Sequence, residues 1–174
     1  MRYLVLILSV MIVAIGCQKL EAPNTPEEML RVVDWVVDTG WVRTIKKADG
    51  VTVTADVDQT AAYVKPDCVK DDKFIFRENH EGARNTGELP CSINETTELQ
   101  FTWGITNGGK NMYIYDAKEF FKTDVNAELL ELYDDRFTIR YMETEDKATN
   151  GGDPNAIKKW VTDTTIYTYQ FKAL

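Results

Sequence analysis

Few residues of this chain combine the type and spacing that acid–base catalysis needs. His80 is the single histidine, so it is the one imidazole that could act as a general base. It sits in the polar stretch 78–82, which is typical of a loop, and no catalytic partner can be named beside it. We therefore expect His80 to lie in a surface loop, and we expect the protein not to be an enzyme.

Two pairs of adjacent carboxylates, Asp71-Asp72 and Asp134-Asp135, have the oxygen ligands that a hard cation prefers. Neighbouring residues of a strand point to opposite faces, so such a pair converges only where a turn bends the chain. We expect Asp71-Asp72 to form a solvated turn in which a carboxylate accepts hydrogen bonds from backbone amides, and Asp134-Asp135 to form a hairpin turn. No metal site and no cofactor are predicted.

The composition favours one globular domain. The chain has 174 residues, of which 44% are hydrophobic, and this excludes a disordered or fibrous protein. It carries 20 basic and 28 acidic side chains, for a formal net charge of −8. That charge argues against nucleic acid as a partner, because contacts with phosphates need a basic face.

The N-terminus is typical of an export signal. The positive charge of Arg2 precedes an apolar run, residues 3–15, that is shorter than the roughly 20 residues of a membrane-spanning helix. Residues 13–17, Val-Ala-Ile-Gly-Cys, resemble a bacterial lipobox in which Ala14 replaces the usual leucine. The resemblance implies that residues 1–16 are removed and that Cys17 becomes acylated. An ordinary signal peptide or a short membrane anchor is the alternative.

Acylation of Cys17 would attach the protein to the bacterial outer membrane. Removing Arg2 with the signal changes the net charge from −8 to −9 (−8 minus one positive charge), so the lipid rather than a basic patch must provide the attachment. Gln18 stands where an aspartate often marks inner-membrane retention. Residues 17–25 then form a lipidated tether to a domain at residues 26–174, on the periplasmic or the surface-exposed side.

The two other cysteines, Cys68 and Cys91, are predicted to form a disulfide. An exported chain meets an oxidising compartment, and two cysteines allow a single pairing. The bridge would close a loop of roughly two dozen residues and contribute about 3 kcal/mol in the chain-entropy model. A catalytic cysteine is the alternative, but His80 is the only histidine that could assist it.

A short helix is predicted at the start of the domain. Thr25 is suited to the N-cap, Pro26 to the first helical position and Glu28 to a capping box. Apolar residues recur at helical spacing as far as Val37, although the β-branched residues leave strand character open from about Val36.

The rest of the chain has the pattern of short strands. Apolar residues alternate with polar or small ones over 99–105, which predicts a half-buried strand, and Asn107-Gly108-Gly109 predicts a hairpin into 111–115. Residues 143–158 form a polar insertion, in which Asp153-Pro154 could cap a short helix that ends near Trp160. Further strand-like runs are expected at 41–45, 51–54, 74–76, 119–122, 128–132, 137–141 and 164–171.

About eight short strands joined by hairpin-length turns predict a mainly β fold. An antiparallel meander of that size must either close into a small barrel or protect its edges, and the same pattern permits a two-sheet sandwich. We favour the barrel because of the resemblance described next.

The middle of the chain resembles the lipocalin-like domain of bacterial outer-membrane lipoproteins. In that family a cysteine precedes an Asp-Asp pair and an aromatic strand, as in residues 68–76, and a second cysteine precedes a strand that carries a tryptophan, here Trp103. The likeness covers residues 40–172, but Gly40 is followed directly by tryptophan, and the insertion after residue 143 is not part of the usual form. The resemblance implies a small barrel without implying a reaction.

Our first hypothesis for the function is that the barrel interior binds a small apolar or amphipathic ligand. Bulky side chains on one face of the sheet would line the interior, where tyrosine hydroxyls could orient the ligand, or the same side chains would fill it. The candidate interior residues are Phe74, Phe76, Leu99, Phe101, Trp103, Met112, Ile114, Phe137, Ile139, Tyr141, Tyr167, Tyr169 and Phe171.

The alternative is a filled barrel that binds a glycan or a secreted protein on its surface, through its loops and the insertion at 144–160. Exposed aromatic side chains could then stack on sugars, although Trp35 and Trp160 are also suited to seating a helix on the barrel. The candidate platforms are Trp35, Trp41, Tyr63, Tyr115 and Trp160.

Overall fold

The computed structural model describes residues 23, 25–48, 51–58, 68, 71–90, 92, 96–121, 124–149 and 159–174. The predicted signal 1–16, Cys17, Cys91, Tyr63 and the Asp153-Pro154 cap lie outside these residues. The elements are α1 (Pro26–Arg31), β1 (Trp35–Ala48), β2 (Val51–Asp58), β3 (Lys73–Phe76), β4 (Glu81–Asn85), β5 (Glu98–Thr106), β6 (Asn111–Tyr115), α2 (Lys118–Phe121), β7 (Val125–Leu132), β8 (Arg136–Thr149) and β9 (Lys159–Ala173). In the described part of the chain, no helix is long and apolar enough to span a membrane.

Eight antiparallel strands close into a barrel, which confirms the predicted fold class. Strands β3 to β9 follow one another as a meander, and β1 closes the ring by pairing with β9 on one side and with β3 on the other. The contact with β3 is short and joins Trp35 to Phe74 and Val36 to Lys73. Because each strand of the ring has a partner on both sides, the sheet is closed where the ring forms.

Three strands continue past the barrel and form a sheet extension. The second half of β1 pairs with β2, from Arg43 opposite Asp58 to Ala48 opposite Val51, while β8 and β9 remain paired out to Thr149 and Lys159. Residues 143–149 of the stretch predicted as a polar insertion, 143–158, are therefore strand. Trp160 lies in β9, and the helix predicted to end near it lies outside the described residues.

On β8, residues 143–147 of the extension are all polar or charged. The ammonium of Lys147 lies 2.8 Å from a carboxylate oxygen of Glu145 and 3.6 Å from one of Asp163. The hydrogen bond and the negative charge of Glu145, followed by the charge of Asp163, raise the pKa of the Lys147 amine. Charged side chains along β8 discourage pairing with another strand at this edge, which borders no further strand of the described residues.

Helix α1 begins as predicted and ends earlier. The Thr25 hydroxyl accepts a hydrogen bond from the backbone N–H of Glu28, whose side chain accepts one from the backbone N–H of Thr25, so the capping box is present. The helix stops at Arg31, and the apolar residues up to Val37 belong to β1 instead. Leu30 and Trp35 are fully buried, and the indole N–H of Trp35 donates to the Leu30 carbonyl at 2.8 Å, which seats the helix on the barrel.

The prediction of a strand at 119–122 is wrong, because residues 118–121 form the short helix α2. Its Phe120 and Phe121 are 3% and 1% exposed and belong to the core. A short apolar run has the same composition in a strand and in a buried helical turn, so its sequence does not distinguish them.

Gly82 is required by the packing of the interior. A Cβ added at this position would overlap the buried ring of Phe101, which lies opposite it on β5. At Gly104 an added Cβ would meet the ring of Tyr113 instead, and that ring is on the outer face and partly exposed.

We expect Gly82→Ala to lower the free energy of unfolding by about 1–3 kcal/mol, because the added methyl group would overlap the buried ring of Phe101 and disturb its contacts with Phe74 and Phe76. Gly104→Ala is the matched control and should cost less, since Tyr113 can turn towards solvent. Urea denaturation of the two variants measures the difference. A Gly82→Ala protein as stable as the parent would contradict this account of the interior.

Candidate functional site

The residues predicted to face the barrel interior do lie together there. All of them except Leu99 are buried and belong to one hydrophobic core. Leu99 is partly buried and lines a cavity of about 220 Å³ beside Arg84, Phe101 and Phe120. Whether this interior holds a ligand stays a prediction.

Aromatic rings pack against one another throughout the interior. Phe137 and Phe171 are stacked, with ring centroids 4.4 Å apart and planes inclined by 3°. Trp35 meets Phe137 edge-on at 4.8 Å, and Phe74 meets Phe171 edge-on at 5.4 Å. These are contact separations for aromatic pairs, so the rings occupy the space that they enclose.

Helix α2 adds two further rings that the sequence prediction missed. The ring of Phe120 lies 4.8 Å from that of Phe74, and the ring of Phe121 lies 5.9 Å from that of Tyr169. The hydroxyl of Tyr141 donates to the backbone carbonyl of Phe121 at 3.5 Å. A tyrosine hydroxyl predicted to orient a ligand thus bonds to the chain itself.

The prediction of a solvated turn at Asp71-Asp72 is wrong for Asp72, which is 0% exposed. One oxygen of its carboxylate accepts from the backbone N–H of Gly87 at 3.1 Å, and the other accepts from Nε of Arg84 at 2.9 Å. Asp71 accepts from the backbone N–H of Leu89 at 3.1 Å, so the predicted bonds to backbone amides are present. Arg84 was not predicted, because it lies on β4 and only the strand register brings it to Asp72.

We expect Arg84→Met to cost about 3–5 kcal/mol, because it removes the guanidinium that contacts the buried Asp72 carboxylate at 2.9 Å. The double variant Arg84→Met, Asp72→Leu should lose less, since it removes both charges. Arg77→Met is the control: the Arg77–Glu98 pair, at 3.4 Å, is 41% exposed on both sides, and exposed pairs contribute about 0–1 kcal/mol. Thermal unfolding compares the three proteins, and equal losses in the two single variants would contradict the role of burial.

The remaining predicted chemical groups are separated or lie outside the described residues. His80 is exposed in a short turn between β3 and β4. Cys68 is partly buried, and its predicted partner Cys91 lies outside the described residues, so the disulfide stays a prediction. Of the residues that the structure describes, no three His, Cys, Asp or Glu side chains are grouped so that they could hold a metal ion.

The outer face of the barrel carries a groove of about 820 Å³, which we call the outer groove. Residues on its floor alternate along their strands with interior residues such as Val42 and Tyr141, so they point outwards. Strand pairing places five of them opposite one another on β1, β9, β8, β7 and β6. In that order the row is Trp41, Thr168, Arg140, Glu128 and Asn111.

A second row runs beside the first and makes the groove wider. Arg43 stands opposite Ile166, and Ile166 stands opposite Met142; all three line the groove together with Asn126 from β7. Met142 is 67% exposed, which is unusual for a side chain so apolar. The outer groove therefore combines apolar side chains with charged and amide groups.

The polar groups of the outer groove are held by hydrogen bonds. Nη2 of Arg140 donates to a carboxylate oxygen of Glu128 at 2.6 Å. The Tyr115 hydroxyl donates to the side-chain oxygen Oδ1 of Asn126 at 3.0 Å, and the side-chain amide of Asn107 donates to Oδ1 of Asn111 at 2.9 Å. Fixed side chains of this kind present donors and acceptors in a defined arrangement before any ligand arrives.

The five predicted platforms differ in their accessibility. Trp35 is fully buried beneath α1, Tyr115 is 37% exposed, and Trp41 is partly exposed in the outer groove. Tyr63 and the side chain of Trp160 lie outside the described residues. Trp41 is thus the platform that the structure places in a cavity of ligand size.

Comparison with known proteins gives no relative for this chain: no family model, no curated protein and no solved structure matches it.

Proposed function

We propose that this protein is a lipid-anchored component of the bacterial cell envelope whose filled barrel serves as a scaffold, and which binds its partner in the outer groove. The observation that carries the proposal is the aromatic packing of the interior, from the stacked Phe137 and Phe171 to Phe120 and Phe121 of α2. A ligand inside the barrel would have to displace these rings. The outer groove, of about 820 Å³, has the size of a ligand site without any rearrangement.

The lipid anchor rests on the resemblance of residues 13–17 to a lipobox. Acylation at Cys17 leaves a short tether before the helix cap at Thr25, so the barrel would be held close to the membrane. The mature net charge of −9 (−8 minus the charge of Arg2) offers no electrostatic attraction to an anionic lipid surface, which leaves the acyl chains as the attachment.

We expect the full chain, expressed in a Gram-negative host, to incorporate labelled palmitate, and we expect Cys17→Ser to abolish the label because it removes the acylated thiol. Cys68→Ser is the matched control, since it removes a cysteine that we do not place at the lipid, and it should keep the label. In-gel fluorescence of a clickable palmitate analogue measures the label on both variants. Labelled Cys17→Ser protein would contradict the anchor.

The filled barrel is tested by native mass spectrometry of residues 18–174, secreted to the periplasm and measured before and after organic extraction. We expect the same mass in both spectra, because the packed rings leave only the cavity of about 220 Å³ beside Leu99, which is smaller than a usual ligand site. The measured mass should be lower than the mass of the chain with reduced cysteines by two hydrogen atoms, the difference expected for a disulfide between Cys68 and Cys91. A mass excess that extraction removes would instead identify an interior ligand and contradict the scaffold role.

A further inference from the structure

The outer groove has the dimensions of a short linear ligand. Its first row crosses β1, β9, β8, β7 and β6, from Trp41 to Asn111. Neighbouring strands of a sheet lie about 4.8 Å apart, so four steps span about 19 Å. A ligand that follows this row lies across the strands, in contact with one side chain from each.

One end of the row is apolar. Trp41 offers a partly exposed indole on β1, and the apolar residues of the second row, Ile166 and Met142, follow on β9 and β8, whereas the second-row residue on β1 itself is Arg43. A flat aromatic face attracts C–H groups, whose hydrogens carry partial positive charge, because the face of the ring is electron-rich. The axial C–H face of a pyranose ring presents such a surface.

The middle of the row both donates and accepts hydrogen bonds. Arg140 and Glu128 form an ion pair at 2.6 Å, with side chains 46% and 52% exposed, so N–H donors and carboxylate oxygens both reach the groove. Asn126 adds an amide, whose carbonyl oxygen is held by Tyr115 at 3.0 Å. Sugar hydroxyls are donors and acceptors at once, and they match this mixture.

Other ligands fit the outer groove less well. An acyl chain would cover the Arg140–Glu128 ion pair and remove it from water at a cost. A nucleic acid or an acidic polysaccharide would meet Arg43 and Arg140, but Arg140 is paired with Glu128 and the net charge of the whole protein is −8. A protein partner typically covers about 800 Å² on each side, mostly over a flat surface, whereas this groove has the volume of a small-ligand site.

Resting on the proposed role of the outer groove, we infer that this groove binds a neutral oligosaccharide. One pyranose ring stacks on Trp41, and the following rings run across β9, β8 and β7 with their hydroxyls bonded to Arg140, Glu128 and Asn126.

The test is isothermal titration of the full chain in detergent micelles with linear oligosaccharides of glucose, mannose, xylose and N-acetylglucosamine. At least one of these neutral probes should bind. Trp41→Ala should weaken that binding about tenfold or more through loss of stacking, whereas Trp41→Phe should retain most of it. Tyr133→Ala is the matched control, because Tyr133 is a 48% exposed aromatic residue that does not line the outer groove, and it should bind as the parent does.

Three results would overturn the inference: no binding of any neutral oligosaccharide, binding that Trp41→Ala leaves unchanged, or tighter binding of heparin, polygalacturonate or a casein peptide mixture. Failure of this inference is distinct from failure of the proposed function. If the mass is unchanged by extraction and no oligosaccharide binds, the scaffold role stands and the inference of an oligosaccharide ligand is wrong. If extraction releases a ligand from the interior, the proposed scaffold role is itself contradicted.

Discussion

The aromatic rings at the centre of the barrel determine how much space remains for anything else. A barrel of eight strands encloses room for side chains or for one small ligand. Here Phe137 stacks on Phe171 at 4.4 Å, Phe74 packs edge-on against its neighbours, and α2 adds Phe120. Close packing of this kind also constrains the backbone: Gly82 must lack a side chain, because a Cβ there would overlap the ring of Phe101. We therefore propose that the partner binds on the outer face of the barrel.

A filled interior makes the barrel wall a rigid support for the outer groove. The residues of its floor are fixed by the register of β1, β9, β8, β7 and β6, and their backbones are backed by buried neighbours such as Val42 and Tyr141. Side chains on strands are positioned more precisely than side chains on loops, and a ligand then loses less binding energy to ordering the site. The Arg140–Glu128 ion pair contributes to the same preorganisation.

Local sequence signals predicted the elements where a local interaction decides the structure. The capping box at Thr25 and Glu28 is formed within four residues, and the alternation over 99–105 follows directly from the pleat of β5. The prediction of a strand at 119–122 is wrong, because two apolar residues are too few to show a helical or strand periodicity and their burial depends on the rest of the barrel. The partner of Asp72 and the cross-strand row from Trp41 to Asn111 depend on register between distant strands, which a single sequence does not reveal.

A crystal structure of the protein purified from the envelope of cells that make it, without refolding or extraction, tests the filled barrel most directly. Such a preparation retains whatever the barrel holds in the cell. We expect density for the rings of Phe74, Phe137 and Phe171 in mutual contact, with Phe120 and Phe121 packed against Phe74 and Tyr169. Density for another molecule between these rings, with α2 displaced from the end of the barrel, would show that the interior is a ligand site and would contradict the scaffold role.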